Sequence, residues 1–279
     1  MTEGSCWAGL LDGHPVRLEA GDVLVFPRGD RYFMSNDDRP PTTPPDLDGT
    51  IAFLRGVATG ELPFAVSSGG GGPKRVSVVC GFLGCDLRPF NPLLASLPRL
   101  LVVRRGSVSP TDRLARLIEL TLAESEDRHP GGETVRVRLS ELMFVEVIRR
   151  YLSTLAPEQN GWLSGVRDEV VGRALALLHT HPARRWTLLA LAKAAGVSRS
   201  ALADRFARLI GEPPMQYLAR WRMHVAAQRL ADGSAKVSTV ALEVGYDSEA
   251  AFSRAFKRVS GVAPAAWRDR SATRSFSQS

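Results

Sequence analysis

Ala192-Lys193-Ala194-Ala195-Gly196-Val197-Ser198 and Ala241-Leu242-Glu243-Val244-Gly245-Tyr246-Asp247-Ser248 are two writings of one unit, and reading them decides the fold. In each copy the first alanine precedes the glycine by four residues. An apolar triplet at i, i+4 and i+7 follows: Leu202, Phe206 and Leu209 in the first copy, Phe252, Phe256 and Val259 in the second. A glycine and a proline close both copies at the same offsets, Gly211 and Pro214, then Gly261 and Pro264. Only the turn differs, by one extra residue in the second copy. A supersecondary unit written twice within 187–267 implies a partner that itself repeats regularly.

Local rules turn each copy into two helices. Thr187 is placed to cap a helix that buries Leu188, Leu191, Ala192 and Ala195; Gly196 ends it, and Ser198 caps the next. Leu202, Phe206 and Leu209 then share an inner face. The small Ala192 lets the two helices approach closely, as in a helix-turn-helix. In the second copy Ser238 is expected to cap the first helix, Gly245 to turn the chain and Ser248 to cap the second. Between the copies Pro213-Pro214-Met215 start a long helix through Leu230, with Tyr217, Leu218, Trp221, Val225 and Leu230 as its core stripe. A stiff helix of that length can hold two recognition helices about one DNA turn apart, roughly 34 Å, so that both enter one face of a duplex.

Charge agrees with a polyanionic partner. The chain has 279 residues and a net charge of +7. Residues 161–279 hold 18 Lys+Arg against 9 Asp+Glu, whereas residues 1–160 hold 18 against 20. The positive excess therefore sits with the repeat, where the bland alternative is a merely solvated basic surface. No run of about eighteen apolar residues is present to span a membrane. The N-terminal residues lack a basic segment followed by an apolar one, so no signal peptide and a cytoplasmic location are expected. Three cysteines do not suggest a disulfide framework.

The first hundred residues read as strands and turns. Val16, Leu18 and Val23-Leu24-Val25-Phe26 lie between Gly21-Asp22 and Pro27-Arg28-Gly29-Asp30. Residues 37–50 are a proline-rich polar loop, and residues 67–73 are rich in glycine and serine. Val76 to Cys85 reads as a further strand or strand pair, and Asn91-Pro92-Leu93-Leu94 with Leu97-Pro98 as an exit turn. Two helices are predicted next, over about 111–126 and 135–155, with more apolar surface than one packing face needs. They are either a dimer interface or a lid on the strands. Pro157 to Gly165 reads as a linker, and a helix follows from about Asp168 to His179.

The C-terminal pattern resembles the AraC/XylS family of bacterial transcription regulators over about 165–270. Trp186-Thr187, Ala192, Gly196-Val197-Ser198, Phe206, Gly211, Pro214, Tyr217, Arg222, Gly245-Tyr246, Ser248, Phe252, Phe256-Lys257, Gly261, Pro264 and Arg268 all stand where the family pattern has them. Trp267 replaces the usual tyrosine. Gly21-x5-Pro27-x-Gly29-x2-Tyr32-x3-Asn36 resembles the second motif of the cupin barrels, with Tyr32 in place of a metal-binding histidine. The first cupin motif has no match, so the chain is read as beginning inside the barrel and no cupin-type metal site is expected. The N-terminal half thus looks like the cupin-type sensors attached to one branch of the AraC family.

The expectation is an α+β protein in two domains. Residues 1–105 form a cupin-like sensor β-barrel, truncated at its N-terminus, and 106–160 a helical pair for dimerisation with a linker. Residues 161–279 form an all-α domain with two helix-turn-helix units. By family position, the DNA-binding residues are Arg199, Ser200, Ala203, Asp204 and Arg208 in the first unit. In the second they are Glu249, Ala250, Ser253, Arg254 and Lys257. Asp204 and Glu249 can accept from cytosine N4, and Arg199 or Arg254 can pair with guanine. Arg205, Arg208, Lys257 and Arg258 are placed for phosphates, while Phe206, Phe252 and Phe256 read as core. The first helix is short of long side chains, so stronger sequence readout is expected of the second.

Double-stranded promoter DNA is the expected partner. A homodimer, a small-molecule effector and RNA polymerase are the further partners this architecture admits, with no membrane and no cofactor. The signal is open between redox or soft-metal chemistry at Cys80, Cys85 and Cys6 and a small molecule held in the barrel. Cys80 and Cys85 would face opposite sides of one unbroken strand, and Gly81 and Gly84 could fold them together. The rival class is a cupin oxygenase or isomerase fused to a DNA-binding module. It would need a histidine–carboxylate set, and only His14 lies in the barrel region. The chain is therefore read as a regulator and not an enzyme.

Overall fold

Prolines at first helical turns and short polar side chains at N-caps set where the helices of this chain begin, and they do so most regularly in its C-terminal half. The computed structural model describes residues 1–36, 74–81, 89–105, 112–126, 130–155, 161–232 and 235–269. They group into two compact units, one within 1–84 and 97–154, the other within 85–96 and 155–279.

In the first unit β1 (Ser5–Leu10) is the centre of a three-stranded antiparallel sheet, flanked by β2 (Val16–Glu19) and β4 (Tyr32–Ser35). Cys6 lies opposite Leu18, and Ala8 opposite both Val16 and Met34. A second, two-stranded sheet pairs β3 (Val23–Val25) with β5 (Leu101–Val103). Buried Cys6, Ala8 and Leu18 form a core against which Leu24 and Val102 of that second sheet also pack. Alternation of inward and outward side chains at period two makes this possible. Of the strand expected over 76–85, the described residues 76–81 hold a single bridge, Ser77 to Glu3; the remainder, Cys85 included, lies outside the described residues.

Gly21-Asp22 closes the turn between β2 and β3. The Asp22 carboxylate is buried and accepts from the backbone N–H groups of Glu19 (3.1 Å) and Arg105 (2.8 Å) and from the Arg104 guanidinium (2.8 Å). Those donors outweigh burial, which alone would raise it, and hold its pKa below the ordinary aspartate value. Two helices complete the unit, α2 (Arg113–Glu126) and α3 (Gly132–Thr154). They pack as a hairpin that buries Leu114, Val147 and Ile148. Asp112 ties them, accepting from the backbone N–H of Ala115 and pairing with Arg150.

In the second unit α4 (Trp162–Arg167) and α5 (Glu169–Thr180) precede the repeat. The short α1 (Pro92–Ser96) packs on α4, with Phe90 buried beside it. The sequence division at residue 105 had grouped that segment with the strands. Two apolar cores follow. The first gathers Phe90, Leu175, Leu178, Leu191, Phe206 and Tyr217, the second Met223, Leu230, Val240, Val244, Phe252 and Phe256. The long α8 (Pro214–Ala231) serves both, with Tyr217 and Leu218 in one and Met223, Ala226, Ala227 and Leu230 in the other. Its apolar residues consequently occupy most of its circumference and do not form one stripe. No helix among the described residues is long and apolar enough to cross a membrane.

Candidate DNA interface

The repeat folds into two helix pairs, α6 (Leu188–Ala195) with α7 (Arg199–Ile210), and α9 (Val237–Glu243) with α10 (Glu249–Ser260). Thr187 caps α6 through Ala190, Ser198 caps α7 through Ala201, and Ser248 caps α10 through Ala251. Each such cap satisfies an otherwise unpaired helix-end N–H. Ser238 does not play that part. α9 starts one residue before it and has Lys236 at its N-cap, with no side-chain hydrogen bond there.

The two turns close alike. In the first, Gly196 N–H donates to Lys193 O and Val197 N–H to Ala192 O; in the second, Gly245 N–H donates to Leu242 O and Tyr246 N–H to Ala241 O. Both glycines stand at left-handed φ, 79° and 85°, where a side chain would be strained. The extra residue of the second copy, Asp247, comes only after this shared closure.

The inner faces are dry. Leu202, Phe206, Phe252 and Phe256 are completely buried. The faces that turn outward carry Arg199, Ser200, Asp204 and Arg208 on α7, and Glu249, Ala250, Arg254 and Lys257 on α10, all exposed. Ala203 and Ser253 are half-buried at the edges of these faces. Among the described residues no ion pair engages Arg199, Arg208, Arg254 or Lys257. Arg205 differs. Its guanidinium grips the Asp168 carboxylate at 2.6 and 2.8 Å, and that carboxylate also caps α5. It fastens α7 to α5, so a phosphate role would require breaking that pair, a competition that charge alone did not disclose.

Behind the first pair lies an aromatic stack. Trp162 Nε1 donates to the Tyr217 hydroxyl (2.8 Å), which shares a 2.8 Å hydrogen bond with His179 Nε2. His179 stacks on Trp221 with ring centroids 3.8 Å apart. Burial first, and then neighbouring His224, lower its pKa to about 4, so the ring is neutral at pH 7. Trp267, at the position where the sequence resemblance leads one to expect tyrosine, keeps a polar handle: its indole N–H donates to Ala227 O at 3.2 Å while its ring meets Phe256 edge-on.

Of the candidate sensing residues, Cys6 and Cys80 are both free thiols. Cys6 is buried with its Sγ 3.3 Å from Met1 Sδ, burial pushing its thiol up and away from the thiolate. Cys80 is exposed, and Cys85 lies outside the described residues. Tyr32 stacks on Phe26 at 4.1 Å, and burial raises its phenol. It stays protonated, a poor state for a metal ligand.

Comparison with known proteins follows this geometry. Residues 1–153 match a cupin family model, and residues 191–270 a helix-turn-helix domain model. A Streptomyces lividans protein described as an AraC-like transcription regulator is 36% identical over 265 residues, covering 92% of this chain and 82% of the relative. A similarly described protein of Streptomyces antibioticus is 35% identical, covering 92% and 81%. The HTH-type transcriptional regulator AlkR of Acinetobacter baylyi is 28% identical, covering 96% and 86%.

Proposed function

The chain belongs to the AraC family of DNA-binding transcription regulators and carries a cupin domain in its N-terminal half, and from that premise we propose how it reads DNA and what governs it. The two helix pairs are two helix-turn-helix units, and α7 and α10 are their recognition helices, entering successive major grooves of one duplex. The observation that carries this reading is the pair of exposed outer faces, each with two cations, Arg199 and Arg208 or Arg254 and Lys257, that no carboxylate among the described residues engages. A surface built for its own stability would pair such cations; a surface built for phosphates and base edges leaves them available.

On this reading Arg199, Ser200, Ala203, Asp204 and Arg208 serve the first groove, and Glu249, Ala250, Ser253, Arg254 and Lys257 the second. Arg254 is the residue assigned to a guanine edge, Arg208 and Lys257 to phosphates. The strands of the first unit are the wall of a cupin barrel that receives the signal, either a small molecule or an oxidant acting at Cys80. Thiol titration with and without peroxide separates these: the oxidant version requires free thiols and DNA affinity to change together. α2 and α3 join two copies into a dimer. The relatives are named transcription regulators, and the chain is assigned no reaction of its own.

Arg254→Ala tests the readout by fluorescence polarisation on duplexes enriched by the wild-type chain. Affinity should fall by about 1–3 kcal/mol and the preference at one base position should relax. Unchanged affinity and unchanged preference would remove α10 as a base-reading helix.

A further inference from the structure

Two recognition helices read one duplex only if something fixes the angle and distance between them. In this chain apolar packing alone does not do it. The two helix pairs have separate cores, joined through α8. At their junction lies an open cleft of about 330 Å³, lined by Arg185, Trp186, Met215, Leu218, Arg222 and Asp247. What bridges the junction is polar, and one residue dominates it.

Arg222 projects from the middle of α8 and spends all three guanidinium nitrogens on backbone. Nε donates to Pro182 O (2.8 Å) and one terminal nitrogen to Arg184 O (3.0 Å), both in the segment leading into the first helix pair. The other terminal nitrogen donates to Gly245 O (3.2 Å), in the turn of the second pair. The planar fork of arginine can hold three carbonyls at fixed angles, whereas lysine offers one rotatable ammonium.

The same two segments touch twice more. A Cβ on Gly245 would stand 2.6 Å from Ala183 O and 2.8 Å from the Arg222 guanidinium, so the backbones meet closer than any side chain permits. Arg185 also pairs with Asp247 at 2.5 Å on the exposed rim. Asp247 is the extra residue of the second copy, so the asymmetry of the repeat falls at this seam.

We infer that Arg222, with Gly245 beneath it, is a positioning residue that sets the register between the two helix-turn-helix units and thereby the half-site spacing the protein accepts. It touches no DNA itself. The inference rests on the two-groove reading proposed above.

The test uses the full chain, its tightest duplex from a random library, and that duplex with one base pair inserted or deleted between the two protected segments. A third duplex has one segment scrambled. One base pair turns the second segment by about 34° and shifts it by about 3.4 Å. The wild type should lose more than about tenfold in affinity on insertion or deletion, a loss comparable to a mismatched contact. Arg222→Lys keeps the charge without the fork, and Gly245→Ala pries the seam apart from the other side. Both should lose less than about threefold on the altered spacing while binding the single-segment duplex within about twofold of wild type.

If both variants discriminate spacing as sharply as the wild type, the inference is wrong. If both lose single-segment binding as fully as two-segment binding, Arg222 merely holds the fold together and the inference is again wrong. A wild-type chain that enriches no duplex at all would instead overturn the two-groove reading on which it stands.

Discussion

His179 shows how a single side chain ties stability to pH. Its folded pKa of about 4 lies below the ordinary imidazole value of about 6.5, because burial and His224 disfavour the cation. The folded state therefore binds fewer protons than the unfolded chain between those two values, and stability is lost as pH falls through that window. The full separation is worth about 3 kcal/mol at most. Asp22 and Asp168 act in the same sense but at lower pH, with folded values that their donors hold down against the effect of burial. Their contribution is present above the unfolded value of about 3.9 and disappears only below it, so the two effects separate along the pH axis. Melting temperatures from pH 7 to pH 4.5 should fall in the wild type and fall less in His179→Gln. An identical slope in both would show that the stack does not hold this ring neutral.

At the scale of elements, α2 and α3 leave apolar side chains outside their own hairpin. Leu120 is 56% exposed and Leu142 53%, with Val135, Val137 and Val145 also exposed. Soluble monomers rarely leave such a group uncovered, and a second copy of the same hairpin is the proposed partner. Leu142→Glu should therefore shift the chain from dimer to monomer in light scattering after gel filtration, leaving the folded helix content unchanged. A mutant that stays dimeric would move the interface elsewhere.

The elements differ in how far sequence exposes them. The repeat was legible because its information is local: alanine, glycine, capping serine and phenylalanine at fixed offsets specify two helices and their turn. Ser238 misled because a serine early in a helix looks like a cap, whereas α9 begins before it. β1 went unread because Ser5-Cys6-Trp7-Ala8-Gly9-Leu10 has no β-branched residue, and it is pairing on both sides that makes it a strand. Phe90 carries no local signal in the sequence, since its partners Tyr217 and Arg220 lie far along the chain. For the same reason the spacing of charges could not reveal that Arg205 is held by Asp168 while Arg208 is not.

At the scale of the whole molecule, charge, fold and family agree. The positive excess of the chain lies in residues 161–279, the same residues build two helix pairs on one connecting helix, and the family is one of DNA-binding regulators. The central claim is that cations on the outer faces of α7 and α10 meet phosphates. The most direct measurement is affinity for duplex DNA against salt concentration. Counted per bound chain, the slope of log affinity on log salt is about −1.8 if only Arg208 and Lys257 displace counterions; if Arg199 and Arg254 join them, it approaches about −3.6. A slope in that range, made shallower by roughly 0.9 in Lys257→Ala, is the predicted result. An affinity indifferent to salt, or a Lys257→Ala slope equal to that of the wild type, would contradict it.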